Sequence, residues 1–146
     1  MLHSVIANQN AAKSYGIAFG YGTTDPIEVE FINSVYVNTY GAIYVAEQAQ
    51  LTIRNSIFYG STNGELLAWG DQGVSMDEGN AGLKALGAGD GNIVADPLFD
   101  ADFHLQSGSP GINAGLELST LYPETDAAGK PRVTGGAPDI GAFEDY

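Results

Sequence analysis

Short runs in which apolar and polar residues alternate recur along the first half of the chain. The clearest run consists of Ile27, Glu28, Val29, Glu30, Phe31 and Ile32. Alternation with a period of two is typical of a β-strand that has one face in the core and the other in solvent. We therefore predict a strand over 27–32 that buries Ile27, Val29 and Phe31.

The same pattern returns 22 residues later, as from Asn33 to Asn55. Across this offset the matching pairs are Val29 and Leu51, Phe31 and Ile53, Asn33 and Asn55, Ser34 and Ser56, and Val35 and Ile57. A further copy lies near the start, where residues 4–8 match residues 34–38 and Tyr15-Gly16 matches Tyr40-Gly41. Short strands repeated every 20 to 50 residues or so indicate a solenoid, in which each coil is stabilised by stacking on its neighbours.

Asn33 and Asn55 interrupt the apolar positions at equivalent points of the repeat. Their spacing predicts an internal asparagine ladder, in which the side-chain amides bond to each other and to backbone groups at the corners. Binding of a ligand by the two asparagines is the alternative. The matched spacing favours the structural role because it explains both residues at once.

The alternation stops between residues 70 and 92, where glycine and aspartate are frequent. Such a composition disfavours a regular helix or strand. We predict a long loop over 70–92, with at most a helical turn at 81–86. Long loops in compact domains are usually functional or disordered.

The last third of the chain contains a series of short motifs rich in proline, glycine and aspartate. They are Asp96-Pro97-Leu98-Phe99, Asp102-Phe103-His104-Leu105, Ser109-Pro110-Gly111-Ile112-Asn113-Ala114-Gly115, Gly129-Lys130-Pro131-Arg132 and Asp139-Ile140-Gly141-Ala142-Phe143-Glu144. This order of motifs resembles the C-terminal region of secreted bacterial right-handed parallel β-helix proteins, including choice-of-anchor and pectate-lyase-like proteins. Asn113 departs from that resemblance, since aspartate is common at its position.

The resemblance implies an all-β fold, namely a short right-handed parallel β-helix of about three coils with a C-terminal capping tail. The 146 residues are enough for one domain with a substantial core. In this single domain, 1–69 would form the repeat coils, 70–92 the loop, and 93–146 the last coil and the cap.

Two features of the tail carry structural predictions. Ile140 and Phe143 are expected to lie on the last coil and cover its open apolar end, as the terminal repeat of a solenoid must be covered. Arg132 is expected to pair with Asp126, Asp139 or Glu144 and so hold the tail in place.

The charge balance restricts the partners of this chain. Lysine and arginine number 5 against 18 acidic residues, which gives a net charge of −13. A nucleic-acid backbone would be repelled, so nucleic acid is not an expected partner. There is no cysteine and therefore no disulfide framework. No apolar run reaches the roughly 18 residues that span a bilayer, so no membrane span is predicted.

Calcium is the first cation to consider for the acidic loop, because it binds carboxylate and carbonyl oxygens. Asp71, Asp77 and Asp90 are the candidate ligands. The alternative is that these aspartates form turns through local side-chain hydrogen bonds. Both interpretations remain open from the sequence.

Aromatic residues predict a second kind of site. Tyr36 should stack over Phe58 on the outer surface, with Tyr44, Trp69 and Tyr59 extending the row. Sugars bind to exposed aromatic rings, so a polysaccharide is the expected ligand. Aromatic stacks inside a solenoid are the alternative.

The sequence contains no triad and no metal-binding histidine spacing. It therefore favours a non-catalytic module that ends a solenoid and binds glycans, and the resemblance implies an extracellular or cell-surface location in a bacterium. The resemblance also implies one alternative, namely a fragment of a polysaccharide lyase or glycoside hydrolase. Another is a structural protein that self-associates through the exposed ends of its coils.

Overall fold

The computed structural model describes residues 3–7, 15–20, 25–118 and 124–145. These residues form ten strands and one helix: β1 Val5–Ala7, β2 Tyr15–Phe19, β3 Glu28–Ile32, β4 Val35–Val37, β5 Gly41–Val45, β6 Gln50–Arg54, β7 Ile57–Tyr59, β8 Glu65–Trp69, β9 Gln72–Ser75, α1 Gly79–Ala85 and β10 Ile93–Val94. The chain is therefore mostly β, as the alternation of apolar residues predicts.

The strands pair in three sheets, mainly in parallel. The orders are β1-β4-β7-β10, β2-β5-β8-β9 and β3-β6. Every pairing among β1 to β8 is parallel, and each strand pairs with the third strand after it in the chain, as β1 does with β4. Strand β9 is antiparallel to β8. The chain thus visits the three sheets in the same order on successive passes.

The register confirms the repeat with an offset of 22 residues. Val29 pairs with Leu51, and Phe31 pairs with Ile53. The earlier copy is also confirmed at Val5, which pairs with Val35, whereas Asn8 of that copy lies outside the described residues.

One predicted match is wrong by a single residue, because Tyr15 pairs with Gly41 rather than with Tyr40. The Tyr15 ring lies over Gly41, where a Cβ atom would be only 2.5 Å from the Tyr15 Cε1 atom. A residue without a side chain is therefore needed opposite Tyr15, and Gly41 meets that requirement.

All three sheets contribute side chains to the main core. Phe31 of β3, Tyr36 of β4 and Ile43 of β5 are each at most 1 % exposed, and they belong to one apolar cluster. The alternation predicts burial of Ile27, Val29 and Phe31. Val29 and Phe31 are buried, whereas Ile27, just before β3, is partly buried against the same cluster. Ile32, an even-numbered position of the same strand, is buried as well.

The predicted asparagine ladder has different partners from those expected. Asn33 and Asn55 lie at corners with φ angles of 53° and 44°, in the left-handed region that asparagine tolerates better than most residues. The Asn33 amide is paired with the backbone of Leu116 by two hydrogen bonds of 2.7 and 2.9 Å. The Asn55 amide donates to the Ala114 carbonyl at 3.0 Å. Both therefore attach the tail instead of bonding to each other.

A buried polar ladder does exist one residue further along. The Ser34 amide donates to the Ser56 hydroxyl at 3.3 Å, and the Ser56 amide donates to the Asn92 side-chain oxygen at 3.0 Å. These bonds satisfy backbone groups in the interior, where an unpaired amide is costly. The ladder connects successive passes at the same corner.

The segment 70–92 is not a continuous loop. It contains β9, which its composition does not predict, and α1, which overlaps the helical turn predicted at 81–86. Leu83 and Ala88 are fully buried in the main core, and Val74 is 2 % exposed. The Ile53 amide donates to the Ala88 carbonyl at 2.7 Å. A few apolar residues between the glycines are sufficient to order this segment against β6 and β8.

The tail covers a sheet face and not the end of the core as predicted. Ile140 is fully buried against Val35, Val37 and Ile57, which lie on the face of the β1-β4-β7-β10 sheet opposite the main core. Strand β4 is buried on both faces, so its outer face requires a cover. The tail supplies that cover, while the segment with β9 and α1 covers the core next to β6 and β8.

Candidate functional site

Tyr36 and Phe58 stack as the sequence predicts, but in the interior. Their ring centroids are 4.9 Å apart with an angle of 4° between the planes, and the residues are 1 % and 0 % exposed. Their predicted placement on an outer, sugar-binding surface is wrong. The left-handed corner at Asn33 changes the direction of the chain, so the alternation of β3 does not continue into β4. Odd-numbered Phe31 faces the core in β3, whereas even-numbered Tyr36 faces it in β4.

The other predicted aromatic residues are separated by the fold. Trp69 is half-buried against the main core, and Tyr59 is 39 % exposed on β7. Tyr44 is half-buried on β5 beside another tyrosine. Of these predicted residues, Tyr44 is the one that belongs to a partly exposed group of tyrosines.

That group consists of Tyr15, Tyr40 and Tyr44, and is called here the tyrosine patch. The Tyr15 ring centroid lies 5.4 Å from that of Tyr44 and 6.5 Å from that of Tyr40. All three residues are partly exposed. The patch forms because β2 and β5 are adjacent and Gly41 leaves space for the Tyr15 ring.

Glu65 of β8 adds a carboxylate to the tyrosine patch. Its Oε2 atom accepts hydrogen bonds from the Tyr15 hydroxyl at 2.9 Å and from the Asn63 amide at 2.5 Å. The Asn63 side-chain oxygen in turn accepts the Glu65 backbone N–H at 3.0 Å. The carboxylate is therefore held in one orientation at the edge of the patch, and its Oε1 atom accepts no hydrogen bond from a described residue.

Partial burial, together with the hydrogen bond to Glu65, raises the pKa of the Tyr15 hydroxyl to about 12. Tyr15 thus stays protonated and continues to donate to Glu65 at any physiological pH. The arrangement combines apolar rings with a fixed hydrogen-bond acceptor, which is the chemistry that recognises a sugar or an organic cation.

Sequence reasoning missed Tyr15, Tyr40, Asn63 and Glu65 as site residues. The available signal was the recurrence of tyrosine at positions 15 and 40, because matching positions of a repeat lie close together when its strands stack. Glu65 gave no signal because it is 50 residues from Tyr15 in the chain. The two meet only because β5, between β2 and β8, has glycine where Tyr15 crosses it.

The three candidate calcium ligands do not form a common site. Asp71 lies between β8 and β9, Asp77 between β9 and α1, and Asp90 after α1. Within the described ranges, no group of three or more acidic or histidine side chains could hold a metal ion. Asp90 instead pairs with Lys84 at 2.6 Å, and hydrogen bonds from Lys84 and Asn80 hold the pKa of Asp90 well below its usual range.

The predicted attachment of the tail by Arg132 is confirmed. The Arg132 Nη1 atom lies 3.3 Å from the Glu144 Oε1 atom, and the two side chains are 5 % and 2 % exposed. The Glu144 carboxylate also accepts the Asp139 N–H, and Asp126 accepts the Glu144 N–H at 2.9 Å. Burial raises the pKa of Glu144 to about 7.

A cleft of about 250 Å³ lies beside this cluster and is bordered by Asp139, Glu144 and Asp145. Their oxygens bind backbone amides of the tail: Asp139 accepts from Asn113 at 2.7 Å, and Asp145 accepts from Leu105 at 2.6 Å. His104 bonds to Asp145 at 2.7 Å and stacks on Phe143. The carboxylates are therefore engaged in holding the tail, and the same contacts favour a structural role for His104.

No helix among the described residues has the length and apolarity needed to cross a membrane. Comparisons of the chain with known protein families, with curated proteins and with solved structures gave no match.

Proposed function

We propose that this chain is a non-catalytic module that binds glycans through the tyrosine patch, in an extracellular bacterial protein. The module would have the architecture of a short right-handed parallel β-helix. Support for that architecture comes from three sheets in which strands three apart pair in parallel, together with the motifs of residues 93–144. Stacked parallel strands of this kind present side chains at regular intervals to an extended ligand.

The observation that carries the binding role is the tyrosine patch with its oriented carboxylate. Two partly exposed rings, those of Tyr40 and Tyr44, lie within 6.5 Å of the Tyr15 ring. A pyranose has an apolar face that stacks on such rings and hydroxyl groups that donate to an acceptor. The Oε1 atom of Glu65 is an acceptor of this kind.

The non-catalytic assignment follows from the use of the acidic residues. Glycoside hydrolysis usually requires a pair of carboxylates that can reach the substrate. In the tail the buried acids bind backbone amides and Arg132. The tyrosine patch contributes the single carboxylate of Glu65, so neither place offers such a pair.

Binding is tested by titrating purified protein with oligosaccharides of equal length in a calorimeter. The variant Tyr44→Ala should weaken binding by about fivefold, since one aromatic contact contributes roughly 1 kcal/mol. Tyr59→Ala removes an exposed tyrosine elsewhere and serves as the matched control, with thermal unfolding used to verify that both variants fold. Equal affinities for wild type and Tyr44→Ala, or no binding of any glycan, would refute the proposal.

Self-association is a second candidate, favoured by one observation. Ile6, Ile17 and Phe19 pack on the main core but keep part of their surface exposed, whereas their paired residues in the next pass, Tyr36, Ile43 and Val45, are at most 1 % exposed. A second chain stacked on this end would bury that surface. A molar mass that increases with protein concentration would support self-association, and a constant monomer mass would exclude it.

A further inference from the structure

We infer that the tyrosine patch selects glycans that carry ammonium groups, such as oligomers of glucosamine, over neutral glycans and over uronates. This inference rests on the proposed glycan-binding function. It concerns the charge of the ligand, which the three rings alone do not decide.

The first step of the argument is the position of Glu65. Its carboxylate is fixed beside Tyr15 by hydrogen bonds from the Tyr15 hydroxyl and the Asn63 amide. Both bonds reach the Oε2 atom, so the Oε1 atom remains available to a donor on the ligand. A carboxylate accepts hydrogen bonds only, and its strongest partners are charged donors.

The second step is that no lysine or arginine among the described residues pairs with Glu65. Lys84 pairs with Asp90, and Arg132 pairs with Glu144. Neither pair includes Glu65, so no described basic side chain neutralises its charge. An ammonium group of the ligand would complete the pair.

The third step concerns the rings. An ammonium group is attracted to the face of a tyrosine when it lies within about 6 Å of the ring centroid. Since the Tyr15 and Tyr44 centroids are 5.4 Å apart, one ammonium group can lie within this range of both. The Glu65 carboxylate accepts the Tyr15 hydroxyl at the edge of these rings, so rings and carboxylate attract cations to the same patch.

The fourth step is the charge of the whole protein. A net charge of −13 raises the local concentration of cationic polymers and lowers that of anionic ones. A uronate would meet both this repulsion and the fixed charge of Glu65. A neutral glycan would gain the stacking contact without the ion pair.

The experiment compares three oligosaccharides of the same length: glucosamine, N-acetylglucosamine and galacturonate oligomers. Affinities are measured by calorimetry at mildly acidic pH, where the amine is protonated, and at low and high salt. We expect the glucosamine oligomer to bind about tenfold more tightly than the N-acetylated one, with the difference reduced by salt. The galacturonate oligomer should bind most weakly.

The variant Glu65→Gln should reduce the affinity ratio of the first two oligomers towards one, because its amide keeps an acceptor but loses the charge. Glu28→Gln removes the same charge from the exposed face of β3 and should leave the ratio unchanged. If the ratio is near one in the wild type, or survives in Glu65→Gln, the inference is wrong while the proposed function stands. If none of the three oligomers binds, the proposed function itself fails.

Discussion

Replacing Tyr36 by phenylalanine should stabilise the protein, although the residue lies in the middle of the core. The Tyr36 hydroxyl is buried and has no hydrogen-bond partner among the described residues. Burial raises the pKa of Tyr36 well above its usual value, so the hydroxyl remains neutral. Its interactions with water are lost on folding and are not replaced.

The magnitude follows from the cost of an unpaired buried hydroxyl, which is about 1–3 kcal/mol. The ring contacts would be retained in phenylalanine, because Tyr36 stacks on Phe58 at 4.9 Å and meets Phe31 edge-to-face at 5.9 Å. The free energy of unfolding should therefore rise by about 1 kcal/mol or more after allowance for the volume of the lost oxygen. Each kcal/mol corresponds to roughly 3 °C in Tm for a chain of this size.

The assay is urea denaturation followed by fluorescence of Trp69, the single tryptophan of the chain, with thermal unfolding as a second measurement. Phe58→Tyr is the matched control, since it adds a buried hydroxyl to the other member of the stack and should destabilise the protein. A lower stability of Tyr36→Phe than of the wild type would refute the reasoning, because it would show that the hydroxyl has a partner.

Two further predictions concern the attachment of the tail. Ile140→Ala should lower the free energy of unfolding by about 2–5 kcal/mol, since it leaves a cavity against Val35 and Ile57; a loss below about 1 kcal/mol in urea denaturation would contradict the packing. Burial and the charge of Arg132 lower the pKa of His3 from 6.5 to about 4, so the folded state favours neutral His3. The free energy of unfolding should therefore fall as the pH drops from about 6.5 to about 4, by at most about 3 kcal/mol. In denaturation measured over this pH range, the His3→Gln variant should lose less stability than the wild type. Parallel curves for the two proteins would show that His3 is not linked to folding.

The strand pairing could be predicted because it depends on local chemistry. Alternating residues set the faces of β3 and β6, and like residues align when equivalent strands stack side by side. This is why the pairs Val29 with Leu51 and Phe31 with Ile53 were available from the sequence. An ion pair between Arg132 and an acid of the tail could also be predicted, since few cations compete for these acids, whereas the choice of Glu144 came from the structure.

The orientation of Tyr36 could not be predicted because a corner separates β3 from β4. The φ angle of 53° at Asn33 changes the direction of the chain, so the alternation of one strand does not continue into the next. A signal was nevertheless present. The apolar run Val35-Tyr36-Val37 is typical of a strand buried on both faces, which implies a second layer over β4.

Composition was misleading for the segment 70–92. Its glycines and aspartates indicate turns, yet β9 and α1 form there because Val74 and Leu83 are buried in the core. Tertiary packing outweighs weak local propensity in such cases. The calcium site expected at Asp71, Asp77 and Asp90 depended on a loop that would bring them together, and the ordered segment keeps them at separate turns.

The sequence by itself determined the mostly β character, the offset of 22 residues between paired strands and the acidic surface, because these depend on residue type and spacing. Tertiary structure decided which apolar residues face the core and which lie beneath the tail, since that choice depends on the direction of the chain at each corner. It also decided the tyrosine patch. Tyr15 and Glu65 meet across Gly41 only after three strands have stacked, and no local pattern connects residues that far apart in the chain.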